Sequence, residues 1–186
     1  MDRRSLGRRV LAAAIAPWLA RTSAAAAQAV ELLALDIVRR DADVTVDFAL
    51  RVALPTIVED ALRRGVVLHF RAEAALYRPR WYWRDLRLGR VRRHWRLGYQ
   101  PLTNSFRVST GALHQTYADL AEAMAAITRG SRWSVAAAAD VEPGASHYLE
   151  FGWRLDTGEL PRPMQIGGGN LPEWQLEIER RVEWRA

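Results

Sequence analysis

The sequence contains no cysteine and no lysine. The first absence excludes disulfides, thiolate zinc sites, iron–sulfur clusters and a cysteine nucleophile. The second means that all 27 basic residues are arginine, which excludes a P-loop lysine, a Schiff-base lysine and a Ser–Lys dyad. Histidine is scarce: His69, His94, His114 and His147 are scattered, with no H-x-H or H-x-x-x-H pair to signal a metal site. No serine stands in a G-x-S-x-G turn. Asp36, Asp47, Asp140, Glu150 and Asp156 have no spacing that marks an acid–base couple. No catalytic residue, cofactor or metal is therefore expected. What remains is 186 residues, 49% hydrophobic and 26% charged, enough for one domain with its own core.

The first 27 residues differ in kind from the rest. MDRRSLGRR is basic, Val10–Ala20 is apolar for 11 residues, and RTSAAAA supplies small residues at an A-x-A position. That is the order of a secretory signal peptide, and 11 residues fall short of the roughly 20 that a membrane-spanning helix needs. Cleavage after Ala26 or Ala27 is expected, from a signal-peptide helix at 1–27, leaving 28–186 as a single domain in the periplasm without a transmembrane span. Arg8-Arg9-Val10-Leu11 bears a partial twin-arginine likeness, but general secretion is the expected route. Residues 1–27 hold five arginines and Asp2, so removing them lowers the net charge from +6 to +2. The remaining charge is uneven. Arg71 to Arg96 holds nine arginines against Glu73 and Asp85, a net +7, and leaves about −5 for the rest of the mature chain.

Residues 29–38 and 43–52 read as antiparallel strands joined by a polar turn at Arg39–Ala42, with Val44, Val46, Phe48 and Leu50 on the buried side. Residues 54–65 predict a helix opened by Pro55, closed by Gly65, and striped with Ile57, Val58, Ala61 and Leu62. Further strands are expected at 66–77, 81–88, 90–99, 106–108, 132–140, 147–155 and 174–184. Turns fall at Pro79, at Thr103-Asn104-Ser105 and at Pro143-Gly144. A second helix is expected at 116–129, with Thr116 and Asp119 as a capping box and Tyr117, Leu120, Met124 and Ile127 buried. Both helices end in Arg-Gly, which allows either a duplicated helix–strand–strand unit or chance. Gly167-Gly168-Gly169-Asn170 reads as a hairpin loop rather than a phosphate cradle, because no helix follows it. The expected fold class is α+β: mainly antiparallel β, a curved sheet or two-layer sandwich of eight or nine strands, with two short helices. Trp81, Trp83, Trp133, Trp153, Trp174 and Trp184 are expected to divide between core and sheet face.

Residues 77–99 carry the least ordinary pattern. On a strand, Arg90, Arg92, His94 and Arg96 share one face, while Val91, Arg93, Trp95, Leu97 and Tyr99 share the other. With Arg80 and Arg84 they form the candidate site for anions. For an exported protein the anion is an envelope protein's acidic surface or an anionic lipid or lipopolysaccharide; nucleic acid is not expected. The alternative is a solvated face whose arginines cover aromatic surface and pair with acids of neighbouring strands.

Across most of the chain, Ala61-Leu62-Arg63-Arg64-Gly65-Val66, Arg80-Trp81-Tyr82-Trp83, Arg96-Leu97-Gly98-Tyr99, Leu120-Ala121-Glu122-Ala123, Leu155-Asp156 and Leu160-Pro161-Arg162-Pro163 occur in this order. The ordered set resembles the proteobacterial family known as domain of unknown function 4390. The alanine-rich run Ala136–Ala139 and Gly98 depart from its pattern. The resemblance implies a small exported envelope protein and, through gene neighbourhood, a setting beside a membrane sensor kinase; it supplies no catalytic residues. The expected function is thus a non-enzymatic periplasmic binding or interaction domain. An anionic lipid binder and an envelope hydrolase with a site assembled only in the fold are the alternatives.

Overall fold

The computed structural model describes residues 29–82, 84–162 and 171–186. The expected signal peptide, the Gly167–Asn170 loop and Trp83 lie outside them.

Among the described residues nine strands, all antiparallel to their neighbours, form two sheets. β1 (Val30–Arg39), β2 (Asp43–Val52) and β7 (Arg129–Ala137) make a three-stranded sheet in the order β1-β2-β7. The second sheet contains β3 (Leu68–Arg78), β4 (Leu86–Gln100), β5 (Ser105–Thr110), β6 (Leu113–Tyr117), β8 (Ser146–Leu155) and β9 (Glu177–Arg185). Its order is β6-β5-β4-β3-β8-β9. The described residues hold two α-helices, α1 (Thr56–Arg63) and α2 (Leu120–Thr128). The expected fold class holds in its two-layer form. Among the described residues no helix is long and apolar enough to cross a membrane.

Period-2 patterning builds the core. Val44, Val46, Phe48 and Leu50 of β2 are buried against Leu68, Phe70, Ala72, Ala74 and Leu76 of β3 and Leu149, Phe151, Trp153 and Leu155 of β8. Aromatic rings join the layers: Phe48 lies 4.8 Å from Trp133 and 4.9 Å from Phe151, and Trp95 stacks 5.9 Å from Trp133. Each such side chain contributes about 1.5–3 kcal/mol by leaving water. Trp133, Trp153 and Trp174 are core residues, while Trp81 is 95% exposed.

Several boundaries differ from the sequence reading. Residues 81, 82, 84 and 85 are not strand; they belong to the β3–β4 loop, and β4 runs through Gly89 as one 15-residue strand. Gly89 is there because β4 crosses β7 so closely that a β-carbon would overlap the Val135 carbonyl oxygen. The second helix starts four residues later than expected. Residues 113–117 pair with β5 instead, and the cap is Asp119, whose carboxylate accepts the Glu122 N–H at 2.7 Å. Asp119 is thus the working N-cap, and Tyr117 belongs to β6. Helix α2 stops at Thr128, because Arg129-Gly130 already pairs with β2. Residues 138–140 form a 3-10 turn rather than strand, and the strand expected from Trp174 begins only at Glu177, after a 3-10 turn at 172–174. Ile57 sits at the margin of the α1 stripe and is 45% exposed. The duplication is excluded: α1 leads to the paired strands β3 and β4, whereas α2 leads to β7 and β8, which lie in different sheets.

The β4–β7 crossing gives an experimental contrast between two glycines of one strand. Gly89→Ala is expected to destabilise the protein by about 1–3 kcal/mol through overpacking. Gly98→Ala, where the nearest atom is Val67 Cγ2 at 3.9 Å, should be neutral or stabilise by up to about 1 kcal/mol. Urea unfolding of both variants measures the difference; equal stabilities would refute the close approach.

Candidate functional site

The parity of β4 decides the site. Trp95 and Leu97 point into the core, so Arg90, Arg92, His94 and Arg96 project together from the outer face of the six-stranded sheet, all four exposed. Four of the six expected site residues are therefore brought together. Arg80 and Arg84 are not on this face; they sit in the loop beyond the ends of β3 and β4, Arg84 exposed and Arg80 half-buried.

The four do not share one electrostatic state. Glu73, on the neighbouring strand β3, forms ion pairs with both Arg90 and Arg92, the latter at 2.7 Å. Partial burial alone would raise the Glu73 carboxyl, but hydrogen bonds from Arg92 and Arg90 outweigh it and hold it below its ordinary range. The arginine-pairing alternative thus describes Arg90 and Arg92. Arg96 and His94 have no ion pair among the described residues. In register, Arg96 stands between Ser109 of β5 and His69 of β3, and Ser109 in turn faces His114 of β6.

Two hollows mark the face. The first, of about 520 Å³, opens over Gly152. Its polar lining comes from four strands: Arg71 and Glu73 of β3, Arg90 of β4, Glu150 and Arg154 of β8, and Glu177, Glu179 and Arg181 of β9. Opposite charges face each other in register, Arg154 with Glu177 and Glu150 with Arg181. The second hollow, of about 230 Å³, lies at the other end between His69, His94, Arg96, Ser109, Asp156 and Glu159. Arg71 lines both hollows, bridging to Asp156 at 2.6 Å, and its Nε is buried without a partner. These β3, β8 and β9 residues were not legible as site residues, because only the strand order places them beside β4.

Asp85 pins the β3–β4 loop to this face. Its carboxylate accepts the Tyr148 hydroxyl at 2.6 Å and the Arg80 backbone N–H at 3.1 Å. Those two hydrogen bonds, the tyrosine's first, hold the Asp85 carboxyl low. Tyr148 stacks on Tyr77 at 5.1 Å and carries the Arg181 guanidinium 3.5 Å from its ring centre.

Chemically, the face can hold charged groups by directional pairing. Glu73 is kept ionised, the opposite of what a general acid needs. Asp36 and Asp47 stand opposite each other in the small sheet, and Asp47 is occupied in accepting the Arg132 N–H at 2.5 Å. No hydrogen bond joins a serine to a histidine ring among the described residues. Nor do those residues hold a group of three or more His, Asp or Glu placed to bind a metal ion.

The family model of domain of unknown function DUF4390 matches residues 27–185, and the chain belongs to that family. No curated protein and no solved structure matches it.

The buried Tyr148 phenol yields a pH test. Burial first, then its hydrogen bond to Asp85, push its pKa from 10 to about 12. A raised folded-state pKa stabilises fully below pH 10, and the contribution disappears as pH rises through about 12. Stability measured across that window should fall in the wild type and fall distinctly less in Tyr148→Phe. Identical alkaline slopes would contradict the Asp85–Tyr148 bond.

Proposed function

We propose that this chain is an exported, non-catalytic interaction domain whose outer sheet face receives the acidic surface of an envelope protein. The observation that carries the reading is the mosaic of the face: exposed Arg96 and His94 with no ion pair at one end, and at the other a hollow lined by arginines and glutamates from four strands. An alternating pattern matches another protein's fixed charges, which can be arranged in complement, better than a uniformly anionic lipid surface. A membrane sensor of the envelope is the kind of partner that the family resemblance implies. Export rests on the basic, apolar and small-residue order of residues 1–27.

Export has a direct readout. Periplasmic extract should contain a chain beginning near Gln28; uncleaved protein confined to the cytosol would overturn it.

The face is tested by placing a photo-crosslinking residue at His94 and, as a control, at Asp36 on the other sheet. A discrete adduct with an envelope protein is expected at position 94, absent at position 36, and lost in an Arg92→Gln/Arg96→Gln background or at high salt. Exposed ion pairs contribute about 0–1 kcal/mol each, so that background should change the melting temperature little. Adducts alike at both positions, or a collapse of the melting temperature, would refute the interaction face.

A further inference from the structure

Among the described residues, the β3–β4 loop presents the most exposed aromatic side chains. Trp81 is 95% and Tyr82 66% exposed, and their rings meet edge to face with centroids 5.2 Å apart. A soluble surface rarely leaves an indole and a phenol side by side in water without use for them. The loop is not an untethered tip: Asp85 holds both the Arg80 N–H and the buried Tyr148 hydroxyl. The surrounding charge is almost all of one sign. Arg84 and Arg87 are exposed, Arg80 is half-buried, and none of the three has an ion pair among the described residues. The loop's one acid, Asp85, is turned to the tyrosine.

We infer that this hairpin tip docks into the headgroup layer of an anionic lipid bilayer, with Trp81 and Tyr82 at the interface and Arg80, Arg84 and Arg87 on lipid phosphates. Indole and phenol rings combine an apolar body with a polar edge, the combination enriched where hydrocarbon meets water. Arginine adds attraction to anionic headgroups, and its guanidinium matches phosphate bidentately. The tip differs from the mosaic outer face in the property that counts: it offers cations and aromatics without interleaved acids, which suits a surface of diffuse negative charge. Because the tip lies beyond the ends of β3 and β4, docking there stands the six-stranded sheet on end and leaves its outer face turned sideways along the membrane. This inference uses different residues from the interaction face and does not depend on it.

The absence of native cysteine makes a local test possible. The full chain carrying Tyr82→Cys is labelled with an environment-sensitive fluorophore, and a second full chain is labelled at Leu102→Cys, at the opposite end of β4. Each is mixed with vesicles of phosphatidylglycerol and phosphatidylethanolamine, or of phosphatidylcholine alone. The position-82 label should brighten and shift to the blue with the anionic vesicles only, while the position-102 label stays unchanged. Adding Arg84→Gln/Arg87→Gln should weaken the response about tenfold, and Trp81→Ala likewise, with unaltered melting temperatures; Arg96→Gln should leave it unchanged. No response at position 82, an equal response to phosphatidylcholine, or equal responses at 82 and 102 would overturn the tip as the point of contact. The last result would mean that the apolar N-terminal segment, not the hairpin, brings the chain to the bilayer. Loss on Arg96→Gln would transfer the binding to the outer face.

Discussion

Everything on the outer face depends on where β4 crosses β7. At Gly89 the two sheets approach until no β-carbon fits, and a few residues on, Trp95 stacks on Trp133 across the layers. These contacts lock the parity of β4 from Gly89 to Gln100, past the register shift at Leu88. Side chains alternate along a strand, so a slip of one residue would send Trp95 and Leu97 into water and His94 and Arg96 into the core. Burying an unpaired guanidinium costs several kcal/mol, and exposing an indole forfeits its transfer energy, so the two penalties act in the same direction. The basic stripe is therefore a consequence of core packing.

Packing sets which arginines project outward; neighbouring strands set what those arginines can do. Glu73 on β3 engages Arg90 and Arg92, drawing two of the four β4 cations into a local network. On the inner face, Arg93 places its guanidinium 4.8 Å from the Trp133 ring centre, where cation–π attraction accommodates a charge at the margin of the core. Arg63 pairs with Glu59 at 2.8 Å and reaches over Tyr99 and Phe106. Within residues 71–96, the cations with no such engagement fall into two groups, Arg96 on the outer face and Arg80, Arg84 and Arg87 around Trp81. A net charge of +7 over residues 71–96 thus resolves into distinct surfaces that sequence arithmetic alone cannot separate.

The strands with strong alternation were legible. The 43–52 boundaries coincide with β2, and the facing of Arg90, Arg92, His94 and Arg96 followed from period 2 alone. Legibility failed where local signals competed. Residues 113–117 carry no apolar alternation, so their pairing with β5 was invisible and Thr116 passed for a helix cap. Trp81-Tyr82-Trp83 has high strand propensity, yet residues 81 and 82 lie in a loop held by Asp85, a tertiary hydrogen bond that overrides propensity. The hollow over Gly152 was beyond reach for a different reason. Its charges come from β3, β4, β8 and β9, and that strand order includes the 67-residue jump between Arg78 and Ser146.

As proposed, the two surfaces take partners of different kinds. A face on which Glu73 pairs with Arg90 and Arg92, and Asp156 with Arg71, already satisfies much of its own charge. A partner gains there only by matching positions, so the face favours selectivity over strength. The hairpin tip has little internal satisfaction to lose, and a surface of diffuse charge can meet it in any rotation about the strand axis. In the proposed reading the tip therefore supplies location and the face supplies identity. Contact at the tip would confine the chain near the membrane and raise the effective concentration of any membrane-resident partner at the face. Such a division permits each interaction to be weak by itself, which is consistent with exposed arginines whose individual contributions are small and screened by salt.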